Sequence, residues 1–245
     1  MKLQLASNSS LAIELEFTVT KSFNKIKLFA GRLGHFDKIG VCLSGGLDSA
    51  ALLCLILTEL KNTNMLELIP VTCFTVIKND GATFYADRLV RKVREKFGCQ
   101  IEHVTNIGNP HVNKFPSLVD AGVMRHLTHL KKNMIYYVGM NLPPLGLTEF
   151  NNSSLALHSQ IFAMNNHLVA PFLNMHKPQL IDILYKLNCD DLIQYTHSCV
   201  MQPVGHCDNC FSCEERAWGF DQLGLIDPGT IPPEIDVSYS GTWRV

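Results

Sequence analysis

Six consecutive residues in the first quarter of the chain have the composition of a phosphate-binding loop. Residues 44–49 read Ser-Gly-Gly-Leu-Asp-Ser and lie between a compact apolar run, 39–43, and an apolar helical pattern. Glycine lets the backbone approach an anion closely, and the N–H groups at a helix start can bind phosphate oxygens. The two serine hydroxyls can donate further hydrogen bonds to a pyrophosphate. The hexapeptide therefore predicts a nucleotide site made of Ser44, Gly45, Gly46, Leu47, Asp48 and Ser49.

Asp48 is an unusual residue for such a loop, because its charge repels phosphate unless a cation lies between them. Hard cations prefer carboxylate and phosphate oxygens, so Asp48 predicts a Mg²⁺ ion held directly or through water. Neither G-x-x-x-x-G-K-[ST] nor G-x-G-x-x-G is present, which excludes two common nucleotide loops. The alternative is that Gly45 and Gly46 only form a tight turn, with Asp48 as a charge at a helix N-terminus.

Four cysteines in the last fifth of the chain have the spacing of a metal site. They follow C-x₇-C-x₂-C-x₂-C and are Cys199, Cys207, Cys210 and Cys213. Four thiolates complete a tetrahedral zinc shell and leave no open position, so the expected role is structural. The alternatives are a redox Cys-x-x-Cys pair, an iron–sulfur cluster or incidental thiols, and either His197 or His206 could replace one cysteine. The other five cysteines are expected to be small buried hydrophobes.

Short apolar runs alternate with helical patterns, which predicts an α/β fold with βαβ units and a parallel sheet. Strands are predicted at 11–19, 39–43, 68–75, 101–104 and 134–139, and helices at 21–33, 47–60, 83–97 and 117–132. We expect an N-terminal extension of one strand and one helix (1–37), a nucleotide-binding domain (38–195), and a cysteine-rich module with a tail (196–245). The carboxyl ends of the strands are where ligands bind in open α/β sheets.

The amino-acid composition and net charge give no support for a nucleic-acid or membrane partner. A content of 47% hydrophobic and 18% charged residues is typical of a globular protein, and the net charge of −1 supports neither a nucleic-acid nor a membrane partner. The basic stretch 88–96 is interpreted as a solvated helix face, since acidic residues dilute it. No secretory signal and no apolar stretch near the roughly 18 residues of a membrane span is visible. We therefore expect a cytoplasmic protein whose cysteines are thiols or metal ligands.

The two motifs together resemble a family of ATP-using enzymes. Ser-Gly-Gly-Leu-Asp-Ser after a strand resembles the PP-loop of the N-type ATP pyrophosphatases, which adenylate a substrate oxygen so that a nitrogen or sulfur nucleophile can displace AMP. With the cysteine segment Cys-Asp-Asn-Cys-Phe-Ser-Cys-Glu-Glu-Arg at 207–216, the chain resembles the 7-cyano-7-deazaguanine synthase (QueC) family. Residues 169–187, with Pro171 and Lys177, resemble the family's stretch ahead of its zinc cysteines.

This resemblance implies a Rossmann-like parallel sheet of the adenine-nucleotide alpha-hydrolase (HUP) type with a small C-terminal zinc-binding appendage. It implies an ATP-dependent C–N ligase of queuosine biosynthesis that adenylates a 7-deazaguanine acid for attack by ammonia, uses ATP, Mg²⁺ and Zn²⁺, and forms a homodimer. The catalytic candidates are Asp48, Ser49, Lys177 and Arg125. Lys177 could neutralise the leaving pyrophosphate and Arg125 could bind phosphate or carboxylate, the alternative for each being a surface side chain.

The sequence departs from the family where the acceptor is expected to bind. The family has Tyr-Gly-Gln-x-His after its second strand, whereas residues 75–81 read Thr-Val-Ile-Lys-Asn-Asp-Gly. The family's aspartate and Tyr-Pro-Asp-Cys segment after the fourth strand are also absent from 139–154. Glu149, Asn151 and Asn152, in a polar loop of that region, are the candidates for acceptor binding.

Three classes of function therefore stay open. The first is a ligase acting on a deazapurine acid with ammonia or another amine, including an amine on a protein. The second is a tRNA-modifying thiolase, for which a catalytic cysteine pair and a basic groove are expected. The third is a non-catalytic nucleotide-binding partner in a larger complex.

Overall fold

The structure is a computed structural model that describes residues 12–16, 23–27, 37–75, 80–105, 133–144 and 168–229. For 12–16, 23–27 and 80–82 it describes the backbone alone. The helix predicted at 117–132, and the candidate residues Arg125, Glu149, Asn151 and Asn152, lie outside the described residues.

An antiparallel hairpin lies in the N-terminal extension. Strand β1 (Ala12–Glu16) pairs with β2 (Phe23–Lys27), and the register sets Ile13 opposite Ile26 and Glu14 opposite Lys25. The prediction of a strand at 11–19 is confirmed for β1, but the helix predicted at 21–33 is wrong over β2. Asn, Phe and Ile are weak helix formers, and β1 supplies the backbone partners that favour an extended chain there.

Five parallel strands form the central sheet. They are β3 (Lys38–Cys42), β4 (Val71–Phe74), β5 (Ile101–Val104), β6 (Met134–Val138) and β7 (Leu168–Val169), in the order β5-β4-β3-β6-β7. The predicted α/β class with a parallel sheet is confirmed. The strand predicted at 68–75 is shorter than expected, because the N–H groups of Leu68 and Ile69 bond to the Met65 carbonyl in a turn.

The described helices are α1 (Leu47–Asn62), α2 (Asp80–Phe97), α3 (Lys177–Lys186) and α4 (Phe211–Asp221), with a 3₁₀ helix at Asp190–Tyr195. Helix α1 is apolar on nearly all sides and buried along most of its length. It shares one core with Ile39 and Val41 of β3 and with residues of α2 and α3. No helix among the described residues is long and apolar enough to cross a membrane.

The strand order places a crevice at the carboxyl ends of β3 and β6. From β3 the chain continues to β4 on one side, while β6 lies on the other side of β3. In open α/β sheets, ligands bind where the strand order reverses in this way. The loop after β3 is the predicted nucleotide loop, so the fold places it at this position.

Candidate functional site

The nucleotide loop turns sharply between β3 and α1. Gly45 has a φ of +78°, in the left-handed region where a side chain would be strained. The buried Ser49 hydroxyl donates to the Gly46 carbonyl at 3.0 Å and accepts from the Ser44 N–H at 3.2 Å. Ser49 therefore fixes the shape of the loop from within, whereas Ser44 is exposed.

Helix α1 begins directly after this turn. Gly46 is its N-cap residue in an extended conformation and makes no side-chain capping bond. The N–H groups in the first turn of a helix have no carbonyl partner within that helix, and the helix dipole adds partial positive charge. The loop and helix start therefore offer what an anion such as phosphate needs.

A buried lysine joins this loop to two later elements. Lys177 is 3% exposed, and its Nζ lies 2.5 Å from Asp48 Oδ1 and 3.0 Å from Glu215 Oε2. Glu215 also accepts a hydrogen bond of 2.7 Å from the Asn141 side-chain amide, in the segment that follows β6. The Lys177 ammonium of α3 thus contacts one residue of α1 and one of α4. Glu215 also connects this group to the segment that follows β6.

Lys177 reaches this position because α3 begins there. The Gln179 side chain accepts a hydrogen bond of 2.8 Å from the His176 N–H, and Pro178 lies in the first turn. Both features are typical of a helix start. The His176 ring lies 2.8 Å from the Leu142 carbonyl, so the segment after β6 also holds this helix start.

Opposite effects act on the pKa of the lysine. Burial disfavours the charged ammonium, but the carboxylates of Asp48 and Glu215 outweigh it, so the pKa of Lys177 is raised above its ordinary value. For Asp48, burial is the largest effect and raises the pKa of the carboxyl, while Lys177 opposes it. The two carboxylates therefore favour the charged form of Lys177.

The four cysteine sulfurs form a compact group at the start of α4. Their Sγ atoms all lie within 4.8 Å of one another, and Cys210 is the N-cap residue of α4. The Gln202 N–H lies 3.2 Å from Cys199 Sγ, so a backbone donor faces one sulfur. Burial opposes ionisation of the Cys210 thiol, yet donors including the backbone of Val200 and Cys213 lower its pKa to about 7. The donor set therefore fits a metal ion that prefers thiolates.

The two neighbouring histidines differ in their contacts with the cysteine group. His197 Nε2 lies 2.9 Å from the Gly205 carbonyl, and its ring stacks on Tyr85 with 4.3 Å between centroids. His206 Nδ1 lies 3.6 Å from Cys213 Sγ, outside the group of four sulfurs. Among the described residues, the four cysteines are thus a complete ligand set without a histidine.

The cysteine module also touches the nucleotide loop. The backbone N–H of His197 donates to the Gly45 carbonyl at 2.9 Å. Arg216 of α4 donates to the Thr196 hydroxyl at 2.8 Å and forms two bonds of 2.7 and 2.9 Å with the Asp227 carboxylate. Two adjacent residues ahead of the first cysteine are therefore held, Thr196 by α4 and His197 by the loop.

A second series of polar contacts connects the ends of the neighbouring strands. The Thr75 hydroxyl lies 2.8 Å from the Leu43 carbonyl and 2.8 Å from His103 Nε2, and His103 Nδ1 lies 2.7 Å from Asp87. The hydrogen bond from His103 lowers the pKa of Asp87, against the effect of burial. These contacts connect the ends of β3, β4 and β5.

The basic side of α2 packs on the 3₁₀ helix. The Arg88 guanidinium and the Lys92 ammonium lie 4.9 and 5.6 Å from the Tyr195 ring centroid. Lys96 pairs with Asp191 at 2.7 Å. Part of the basic stretch is thus used in contacts within the chain and part of it faces solvent.

One family model matches a segment of the chain that contains two of these features. The sequence model described as "Queuosine biosynthesis protein QueC" matches residues 149–224, which contain Lys177, Glu215 and the four cysteines. Among solved structures, the chain resembles the U34-tRNA thiolase NcsA from Methanococcus maripaludis with its [4Fe-4S] cluster. The two share 16% identity over 80% of this chain and 69% of the other, with a TM-score of 0.50. Residues 149–224 are thus similar to the QueC family, and the chain as a whole is similar in fold to the thiolase.

The likeness to the thiolase shows the fold alone, because the identity is low. It confirms the predicted HUP-like parallel sheet. No curated protein sequence matches the chain significantly. The QueC match covers less than half of the chain and does not include the nucleotide loop. The contact between Asp48 and Lys177 and the bond from His197 to Gly45 both connect the loop to the matched segment.

The structure brings together some of the predicted site residues. Asp48 and Lys177 lie in contact, and the four cysteines form one group. Sequence analysis missed Glu215 and Asn141, which complete the surroundings of Lys177. The available signal for Glu215 was its place two residues after Cys213, on a helix that a metal ligand begins.

Proposed function

We propose that the chain splits ATP into AMP and pyrophosphate and transfers AMP to a carboxylate or amide oxygen of a 7-deazaguanine acid. A nitrogen nucleophile then attacks the activated carbon, and AMP leaves with the oxygen. The observation that carries this proposal is the 2.5 Å contact between Lys177 and Asp48. It joins the loop, whose sequence is that of a PP-loop, to the segment that the QueC model matches.

The proposed roles follow from the geometry. The loop and the start of α1 bind the phosphates through backbone N–H groups, and Ser49 keeps the loop in shape. Asp48 is a quarter exposed and binds the Mg²⁺ that accompanies ATP. Lys177 is buried behind it, so we propose that Lys177 acts through Asp48 rather than on pyrophosphate directly. Adenylation needs no side-chain nucleophile, because positioning and charge neutralisation supply most of the rate.

We propose zinc as the ion of the cysteine group. A tetrahedron with metal–sulfur distances of 2.3 Å has sulfur–sulfur edges of about 3.8 Å. In a [4Fe-4S] cluster each cysteine binds a different iron, which separates the sulfurs by roughly 6 Å. Sulfurs that all lie within 4.8 Å of one another therefore favour a single ion. Four protein ligands close its shell, so the ion would stabilise the module rather than take part in chemistry.

Two further alternatives have less support. A thiolase that works through an iron–sulfur cluster needs a wider cysteine group than the one among the described residues. A non-catalytic partner does not need a carboxylate with two supporting groups at its phosphate loop. Arg125, Glu149, Asn151 and Asn152 remain proposed acceptor or phosphate ligands, and a homodimer in the cytoplasm remains a proposal from the family resemblance.

A panel of acceptors tests the substrate. Purified protein with MgATP would receive 7-carboxy-7-deazaguanine with ammonia, the same acid with a peptide amine, or tRNA with a sulfur source, and mass spectrometry would identify the product. We expect an amide, a nitrile or a peptide conjugate of the deazapurine. A thiolated tRNA and an unchanged deazapurine would contradict the proposal.

A further inference from the structure

Glu215 lies where the cysteine module meets the nucleotide loop. It is 5% exposed on α4, the helix that begins at Cys210. Gly219, one turn later on the same side of α4, lets α3 approach: a Cβ at Gly219 would lie 2.7 Å from Lys177 Cγ. Helix α4 is therefore packed directly against Lys177, and Glu215 faces its ammonium at 3.0 Å.

The hydrogen bonds of Glu215 leave it little freedom. Its Oε2 faces Lys177, and its Oε1 accepts the 2.7 Å bond from Asn141. Both carboxylate oxygens are therefore occupied by donors from two different elements. A carboxylate fixed on both sides holds its partner in place more firmly than a free one does.

The charges around Lys177 do not cancel. Two carboxylates, Asp48 and Glu215, share one ammonium, so the three ionised groups carry one net negative charge. The neighbouring Arg216 is balanced by its own partner, Asp227. Without Glu215, Lys177 and Asp48 would form a neutral pair, and a cation at Asp48 would have to compete with the lysine.

We propose that Glu215 is a positioning residue that takes up the Lys177 ammonium and so leaves the Asp48 carboxylate available to the Mg²⁺ ion that arrives with ATP. This inference rests on the proposed function, because the ion belongs to the nucleotide substrate. Asn141 supports the same role, since it fixes the carboxylate of Glu215.

The experiment measures how ATP binding depends on Mg²⁺. A fluorescent ATP analogue at fixed concentration is titrated with Mg²⁺, and the half-saturating Mg²⁺ concentration is compared among variants of the full chain. Glu215→Gln removes one charge and keeps the side-chain shape, and we expect the half-saturating concentration to rise about tenfold. Glu214→Gln makes the same chemical change one residue earlier on α4, and it should leave that concentration unchanged.

A double variant separates this role from simple stabilisation. Lys177→Met with Glu215→Gln removes the ammonium together with its second partner and again leaves one negative charge at Asp48. We expect its Mg²⁺ dependence to return toward that of the wild type, even if both variants melt at lower temperature. It also provides the test if Glu215→Gln alone fails to fold.

Two results would overturn the inference in distinguishable ways. If Glu215→Gln needs no more Mg²⁺ than Glu214→Gln, or if the double variant needs as much as Glu215→Gln, the role assigned to Glu215 is wrong and the proposed function stands. If the wild-type chain binds no ATP at any Mg²⁺ concentration, the proposed function itself fails and the inference fails with it.

Discussion

The proposed function depends most on Asp48, and the surroundings of this residue explain why an acidic side chain lies in a proposed phosphate-binding loop. Its Oδ1 contacts the buried Lys177 ammonium, and a quarter of its side chain remains exposed at the loop. An isolated aspartate at this place would repel phosphate. An aspartate that is held from behind and faces solvent in front can bind a divalent cation between itself and the nucleotide.

Replacing Asp48 by Ala should abolish ATP cleavage and leave the fold intact. The cation would lose its protein ligand, which we expect to lower the rate by about a hundredfold or more. Lys177 would keep Glu215 as a partner, so no buried charge would be left unpaired. The rate of pyrophosphate release and the circular dichroism melting curve measure the two effects.

Asp191→Ala is the matched control for this variant. It removes the same side chain from an ion pair with Lys96, between α2 and the 3₁₀ helix. We expect normal pyrophosphate release from the control. Wild-type release from a folded Asp48→Ala protein would show that the carboxylate has no part in ATP cleavage.

The sequence predicted this site only in part, for a reason that Glu215 illustrates. Asp48 and Lys177 belong to two segments that the sequence analysis had singled out, and they lie in contact in the structure. Glu215 lies in the cysteine segment at 207–216, but its neighbour Glu214 has the same side chain. Which of two adjacent acids faces inward depends on the helix that carries them, so only the folded chain distinguishes them.

At the scale of elements, α4 connects the metal group to the nucleotide loop. It begins at Cys210, carries Cys213 in its first turn and brings Glu215 to Lys177. The cysteine segment before it has exposed apolar residues, such as Val200 and Met201, and buries little of its own surface. The metal ion that we propose would hold such a segment in shape.

Replacing Cys210 by Ser should therefore release the metal and destabilise the chain. Loss of a structural metal ranks among the largest single-site effects, and we expect a decrease of about 4 kcal/mol in the free energy of unfolding. Inductively coupled plasma mass spectrometry gives the metal content, and thermal denaturation gives the stability. We expect one zinc per wild-type chain and less than one in the variant.

Cys99→Ser provides the control, because Cys99 is a half-buried cysteine outside the metal group. It should retain the metal and melt close to the wild type. Stoichiometric metal in Cys210→Ser, or a melting temperature equal to that of Cys99→Ser, would exclude a structural metal at the four cysteines. Four irons per chain would instead indicate a cluster.

The secondary structure predicted from the sequence agrees with the structure where the local sequence limits an element clearly, and it is wrong for one element where it does not. The short strand predicted at 101–104 has the same bounds as the observed β5. The end of α2 and the glycine that follows it, Gly98, limit the strand on its N-terminal side. The helix predicted at 21–33 contains β2 instead. That segment becomes a strand because β1 lies beside it, and pairing between distant residues cannot be read from local propensity.

At the scale of the whole molecule, two distant parts of the chain meet at one edge of the sheet. The segment 44–49 contacts Lys177 through Asp48 and His197 through Gly45. The QueC match covers only the second part, and the sequence of the first part resembles a PP-loop. These contacts support the proposal that both parts take part in binding ATP.

The products of ATP test the central claim most directly. ATP labelled separately at the α- and γ-phosphates is incubated with the chain, Mg²⁺ and the acceptor panel, and the labelled products are separated by chromatography. We predict that the α-label appears in AMP and the γ-label in pyrophosphate, in equal amounts and only when an acceptor is present. Label in ADP and inorganic phosphate would contradict it, because the bond broken would then lie between the β- and γ-phosphates.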